Sequence, residues 1–143
     1  VGRRGRRISA PEAPGFILGY TLGNDVTARD LQRQDGQWTR GKGFDTFCPI
    51  GPWIETEFDP ADVMLSCRVN GELRQMASTR DMIHSVSNLI AYISSIMTLE
   101  PGDIIFTGSP AGVGPLTPGD RVEVSVDGLG ALSNPVAAEA NPT

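Results

Sequence analysis

Apolar positions recur along the chain with two different periods. Val63, Leu65, Cys67 and Val69 alternate with polar or small residues, the pattern of a half-buried strand. That stretch ends at Asn70-Gly71, a pair suited to a type I′ turn, so Glu72 to Met76 is predicted to return as the second strand of a hairpin. Met82, Ile83, Val86, Leu89, Ile90, Ile93 and Met97 then recur at helical spacing, predicting one long helix from about Thr79 to Leu99 with Asp81 in its first turn. Val122, Val124 and Val126 alternate again, Asp127-Gly128 turns the chain, and Leu129 to Val136 returns. Upstream, Ser9-Ala10-Pro11-Glu12 reads as the capped start of a short helix, and the apolar run Phe16 to Leu22, bounded by Gly15 and Gly23, as a buried strand. Thr27 to Arg33 is expected to form a helical turn. Gln34 to Pro52 is expected to be a long ordered loop, because a linker would not carry Trp38, Phe44 and Phe47.

Two segments echo each other. Leu99-Glu100-Pro101-Gly102-Asp103 and Leu116-Thr117-Pro118-Gly119-Asp120 both place Pro and Gly at the central positions of a type II turn, each expected to feed a strand. Together these signals predict a mixed α/β, β-rich domain in which a closed or partly rolled system of mixed sheets packs with one long helix.

Composition narrows the class. A chain of 143 residues is the size of one domain, assigned to residues 1–136 with a flexible tail at 137–143. The apolar fraction of 39% and charged fraction of 20% are those of a globular chain. No apolar stretch is long enough to span a bilayer, and no secretory signal follows the basic start, so a cytoplasmic protein is expected. The net charge is −5, yet Arg3, Arg4, Arg6 and Arg7 fall within the first seven residues. Without them, 8 basic residues face 17 acidic ones, and a body that acidic argues against a nucleic-acid partner. The bland alternative for the basic run is a solvated turn at a strand end. Cys48 and Cys67 lack the spacing and companions of a zinc site and are expected to be reduced.

Among twelve basic residues Lys42 is the only lysine. In a chain that otherwise uses arginine, a lone lysine points to a place that needs a compact ammonium. Asp25, just past a predicted strand, is either a ligand for a hard cation or a turn former. Asp30 reads as a surface or cap group. Thr107 to Gly114 follows the predicted strand Ile104 to Phe106 and offers backbone N–H groups to an anion, but it lacks the ending of a P-loop. His84, the only histidine, is placed by the periodicity at the edge of the long helix, a packing position. With a single His and no neighbouring Ser nucleophile motif, a Ser-His-Asp hydrolase is poorly supported.

The blocks Gly19-Tyr20-Thr21-Leu22-Gly23-Asn24-Asp25-Val26-Thr27-Ala28-Arg29-Asp30-Leu31-Gln32 and Gly41-Lys42-Gly43-Phe44-Asp45-Thr46-Phe47-Cys48-Pro49-Ile50-Gly51-Pro52-Trp53 closely resemble motifs of the fumarylacetoacetate hydrolase superfamily. Val69-Asn70-Gly71-Glu72 and the stretch from Leu99 to Gly114 resemble two further blocks, in the same order. The resemblance implies a roll of mixed sheets packed with helices, usually in dimers. It implies a Mg²⁺-dependent enzyme, sometimes using Mn²⁺ or Ca²⁺, that hydrolyses a C–C bond, decarboxylates, or isomerises a β-dicarbonyl or 2-oxo acid through an enolate. It implies Asp25 as a metal carboxylate, Lys42 as the catalytic ammonium beside metal and oxyanion, and Thr46 near the metal's shell. Gln32, Thr107 and Gly108 would contact substrate oxygens, with Arg29 bracing that shell. By the resemblance, the family's Glu-x-Glu metal pair and its N-terminal lid would both precede Val1 and are expected to be absent from these residues. The resemblance is thus to the C-terminal part of the catalytic domain. A catalytically impaired, dimerising or binding remnant is the alternative expectation.

Overall fold

Asn70 and Gly71 both adopt positive φ, 53° and 84°, the conformation a two-residue type I′ turn demands. The computed structural model describes residues 1–139. Its strands are β1 (Tyr20–Gly23), β2 (Ile50–Glu55), β3 (Met64–Val69), β4 (Glu72–Ser78), β5 (Arg121–Val126) and β6 (Gly130–Pro135). Its α-helices are α1 (Arg29–Asp35), α2 (Thr39–Lys42) and α3 (Val86–Ile96). The architecture is the sheet-rich, helix-poor α/β arrangement expected. β4-β3-β5-β6 form one sheet and β1-β2 another, and every pairing between these strands is antiparallel.

Alternation decides which face of the larger sheet is dry. Cys67 and Val69 of β3, Val122, Val124 and Val126 of β5, and Leu132 of β6 point to one side, where Leu22 of β1 and Leu129 complete a buried core. Burying each such valine contributes on the order of 1.5–3 kcal/mol. Burial also pushes the Cys67 thiol's pKa up, while Cys48 is exposed; both are free. A second core gathers Ile8, Ala13, Ile90 and Leu99 beneath α3. The arginine-rich start closes this core. Gly5 pairs with Leu99, and the Arg6 guanidinium donates to the carbonyls of Ser94 and Ser95 at 2.5 Å each. Arg6 thereby satisfies carbonyls that the end of α3 leaves without helical partners. Arg4 pairs with Glu100 at 2.8 Å, and Arg3 lies over the ring of Phe16.

Several expectations need correcting. The helix starts at Val86, because Ser85 caps it, its hydroxyl accepting the N–H of Asn88. Thr79–Asp81 is a separate 3₁₀ turn capped by Ser78, so the apolar periodicity had run two elements together. Ile83 is 93% exposed, and His84 lies in an exposed bend before the helix instead of on its edge. The run Phe16 to Leu22 is not one strand: Phe16 ends a 3₁₀ turn (Ala13–Phe16) and β1 begins at Tyr20. The short helix expected from Ser9 is a turn leading into that 3₁₀ element, in which Glu12 accepts the Ser9 N–H at 3.0 Å. The loop predicted over Gln34 to Pro52 contains α2 and the start of β2. Ile104 to Phe106 is not a strand, although Arg121 onward is. The predicted tail at 137–143 lies partly outside the described residues.

Candidate functional site

β1 delivers the chain to Asp25 two residues past its end. There the Asn24 N–H donates to the Pro49 carbonyl at 3.0 Å, tying this turn to the loop that precedes β2. α1 and α2 meet closely because Gly41 carries no side chain: a Cβ there would lie 3.2 Å from the Ala28 carbonyl and the Gln32 nitrogen. The Ala28 N–H donates to the Gly41 carbonyl at 2.8 Å, fixing the two helices together. Lys42 is the last residue of α2, and from there its ammonium donates to Asp25 Oδ2. The Lys42 and Asp25 side chains are 27% and 35% exposed, so the pair stands at the surface, open to a small ligand.

Gln32 lies on α1 and its Oε1 accepts from Arg29 at 2.5 Å. This arrangement leaves the Gln32 amide N–H₂ to donate elsewhere. Thr46 and Cys48 both sit at positive φ, 68° and 60°. Such backbone costs about 1–2 kcal/mol per residue for an L-amino acid, so the surrounding loop must hold it. The tilted rings of Phe44 and Phe47, 5.4 Å apart, and the Phe47 N–H on the Phe44 carbonyl help to do so.

Thr107 and Gly108 arrive from the other side. The Phe106 ring lies over Gly23, where a Cβ would come within 2.7 Å of it. Further along, Gln75 of β4 donates to the Pro110 carbonyl at 2.7 Å, and Gly112 lies so close to β4 that a Cβ would fall 2.0 Å from the Arg74 carbonyl. The loop is therefore strung between the end of β1 and the edge of the larger sheet. Thr107, Gly108, Gly23 and Ile50 line one part of a cavity of about 310 Å³ between the two cores, otherwise walled mainly by apolar side chains such as Leu65 and Leu89.

Asp25 and Lys42 are thus in direct contact. Gln32 packs against Gly41, next to Lys42 in α2, and Thr107 and Gly108 line the cavity with Gly23 at the end of β1, while Thr46 lies in the loop between α2 and β2. The sequence reading did not single out Trp38, whose ring lies 5.8 Å from the Lys42 ammonium. The available signal was its spacing of four residues from the lysine, across one helical turn.

The residues present do not fit a magnesium site by themselves. Mg²⁺ takes near-octahedral oxygen coordination. Here the expected ligand Asp25 already pairs with an ammonium, and among the described residues no cluster of three or more metal-ligating side chains forms. Asp25 offers a single carboxylate, and a tight site would need further acidic ligands from outside these residues.

Comparisons with known proteins place the chain in one family and one fold. Residues 1–137 match the family model described as fumarylacetoacetate (FAA) hydrolase, C-terminal. The crystal structure of 5-carboxymethyl-2-hydroxymuconate delta-isomerase from Mycobacterium smegmatis superposes with a TM-score of 0.96 at 52% identity, over 99% of this chain and 56% of that one. Fumarylacetoacetate hydrolase from psychrophilic Exiguobacterium antarcticum superposes with a TM-score of 0.94 at 49% identity, over 97% of this chain and 53% of that one. A mitochondrial oxaloacetate tautomerase of Rattus norvegicus is 42% identical over 95% of this chain and 47% of its own length. The chain spans about half to just under two thirds of the length of the curated relatives it matches.

Proposed function

The chain belongs to the fumarylacetoacetate hydrolase family, and from that premise we propose that it is the site-bearing portion of an enzyme acting on a 2-oxo or β-dicarbonyl acid through an enolate. The names of its relatives support one chemistry. A tautomerase of oxaloacetate moves a proton between carbon and oxygen, and a delta-isomerase of a 2-hydroxymuconate moves a double bond along an enol. Hydrolysis of fumarylacetoacetate breaks a C–C bond beside a carbonyl. Each develops negative charge on a carbonyl oxygen, and each is helped by donors already aimed at that oxygen.

The observation that carries the reading is the Lys42 ammonium, held on Asp25 just past the end of β1. Its compact charge is suited to an oxyanion that forms and disappears. The Gln32 amide, fixed through its oxygen by Arg29, is a second donor. The Thr107 hydroxyl and the N–H groups from Gly108 onward are suited to the substrate's carboxylate. The magnesium implied by the family resemblance belongs to this reading as a further requirement, with Asp25 as the contribution of this chain. So do a cytoplasmic setting and a homodimer, for which Met64, Leu73 and Met76 on the open face of β3 and β4 offer apolar area.

The test is the decay of oxaloacetate enol, followed by its ultraviolet absorbance, with the native chain, Lys42→Ala and Lys42→Arg. Loss of a donor to an oxyanion costs roughly 100- to 1,000-fold in rate, and both variants should show it with unchanged thermal melts. Arg keeps the charge but presents it as a wide fork at a different reach. Turnover of Lys42→Arg near the native rate would overturn the assignment.

A further inference from the structure

We infer that Trp38 is a positioning residue for Lys42, an inference that rests on the function proposed above: its indole holds the ammonium at Asp25 and keeps it from swinging into water. Trp38 is 58% exposed and belongs to neither core, so packing does not account for so large an apolar side chain here. It occupies the N-cap of α2, and Lys42 ends that helix four residues later, so both side chains lie on one face of a single turn. The ammonium lies 5.8 Å from the ring centroid, within the range where the negative face of an indole attracts a cation.

A lysine stem has four rotatable carbons, and an ion pair at the surface holds it loosely. Here two contacts of different kind act on one ammonium: the Asp25 carboxylate fixes its direction, and the indole covers part of it from water. The helical turn carries both Trp38 and Lys42, so the ring arrives with the lysine whenever α2 forms. α2 is in turn seated on α1 through Gly41, which puts Trp38, Lys42 and Gln32 on one small platform.

Lys42 is the only lysine in the chain, so selective ¹³C-lysine labelling yields one ε-CH₂ signal to report its surroundings. At constant neutral pH and without substrate, the native ε protons should be shifted upfield by the indole ring current and should show restricted motion. Trp38→Leu should move them to the free-lysine position and raise their mobility, while Trp38→Phe, which keeps a ring, should retain part of both effects. In the enol-decay assay, Trp38→Leu should lower kcat about 2- to 5-fold with KM unchanged, and Trp38→Phe should restore much of the loss. An ε signal in folded Trp38→Leu identical to the native one would overturn the inference. Should Trp38→Leu fail to fold, an ε signal at the free-lysine position in folded Trp38→Phe would do so. The magnetic resonance result is independent of turnover: if Lys42→Ala leaves turnover intact, the proposed function fails while the placement of Lys42 by Trp38 stands.

Discussion

The turns at Glu100–Asp103 and Thr117–Asp120 are nearly the same object with different outcomes. Each has Pro followed by Gly at positive φ, 93° at Gly102 and 99° at Gly119. In each the aspartate carboxylate reaches back to the N–H three residues earlier, at 2.7 Å in the first and 2.8 Å in the second. Beyond the second turn, Arg121 enters β5 between β3 and β6, and Val122, Val124 and Val126 are buried. Beyond the first, Ile104 to Phe106 runs without a ladder partner among the described residues, and Ile104 and Phe106 stay exposed along the cavity. The side connections also differ. Asp120 accepts from Asn70 of the β3–β4 hairpin at 2.8 Å, while the first turn is anchored through Arg4 on Glu100 and the Gly5–Leu99 bridge. Local sequence therefore makes the turn, and the presence of a neighbouring strand decides whether the segment beyond it becomes sheet.

The largest expected difference between the two lies past the turns. Val124→Ala should cost roughly 2–3 kcal/mol, because it opens a cavity in a closed core. Ile104→Ala should cost less than about 0.5 kcal/mol, as expected for a side chain already half in water. Urea unfolding of both variants checks this, and equal losses would mean that Ile104 is packed as firmly as β5.

Within the turns the outcomes should match. Gly102→Ala and Gly119→Ala meet open space, so each should cost only the backbone penalty of positive φ, about 1 kcal/mol. Unequal shifts in the urea midpoint would show that the shared turn is energetically two different structures.

The smallest effect is electrostatic and belongs to the second turn. The Thr117 N–H, and then the Asn70 side chain, hold the Asp120 carboxyl below its ordinary range. A carboxyl whose folded pKa is lowered contributes stability above its unfolded value, and that contribution is lost as pH falls through the folded one. Asp120→Asn should therefore be slightly less stable than the native chain at neutral pH, and the gap should close in acid. A gap that is independent of pH would assign the effect to geometry alone.

The site shows the same division between local and distant causes as the turns. Asp25, Lys42 and the loop from Thr107 drew attention by residue type and placement, whereas Gln32 and Thr46, and the role expected of each of the six, came only from the resemblance to the family's motifs. Arg29 on Gln32 is a contact between neighbours at helical spacing. What escaped was anything set by competition between neighbours. The start of α3 was misplaced because the Ser85 cap overrides an apolar spacing that runs straight through Met82 and Ile83. The left-handed backbone of Thr46 and Cys48 has no local signature, since neither residue favours it.

What the sequence by itself determined is a set of features whose causes lie within about four residues. The Asn-Gly hairpin, the two Pro-Gly turns, and the alternation that gives β3 and β5 a buried face are all of this kind. What only the tertiary structure decided is whatever needs a partner from far along the chain. It set Asp25 against Lys42, turned a run of arginines into the closure of α3 and its core, and, among the described residues, left Ile104 to Phe106 without a ladder while giving β5 two. The physical reason is that a turn satisfies its own backbone groups, whereas a strand or an ion pair is worth its ordering entropy only when the chain brings the other half to it.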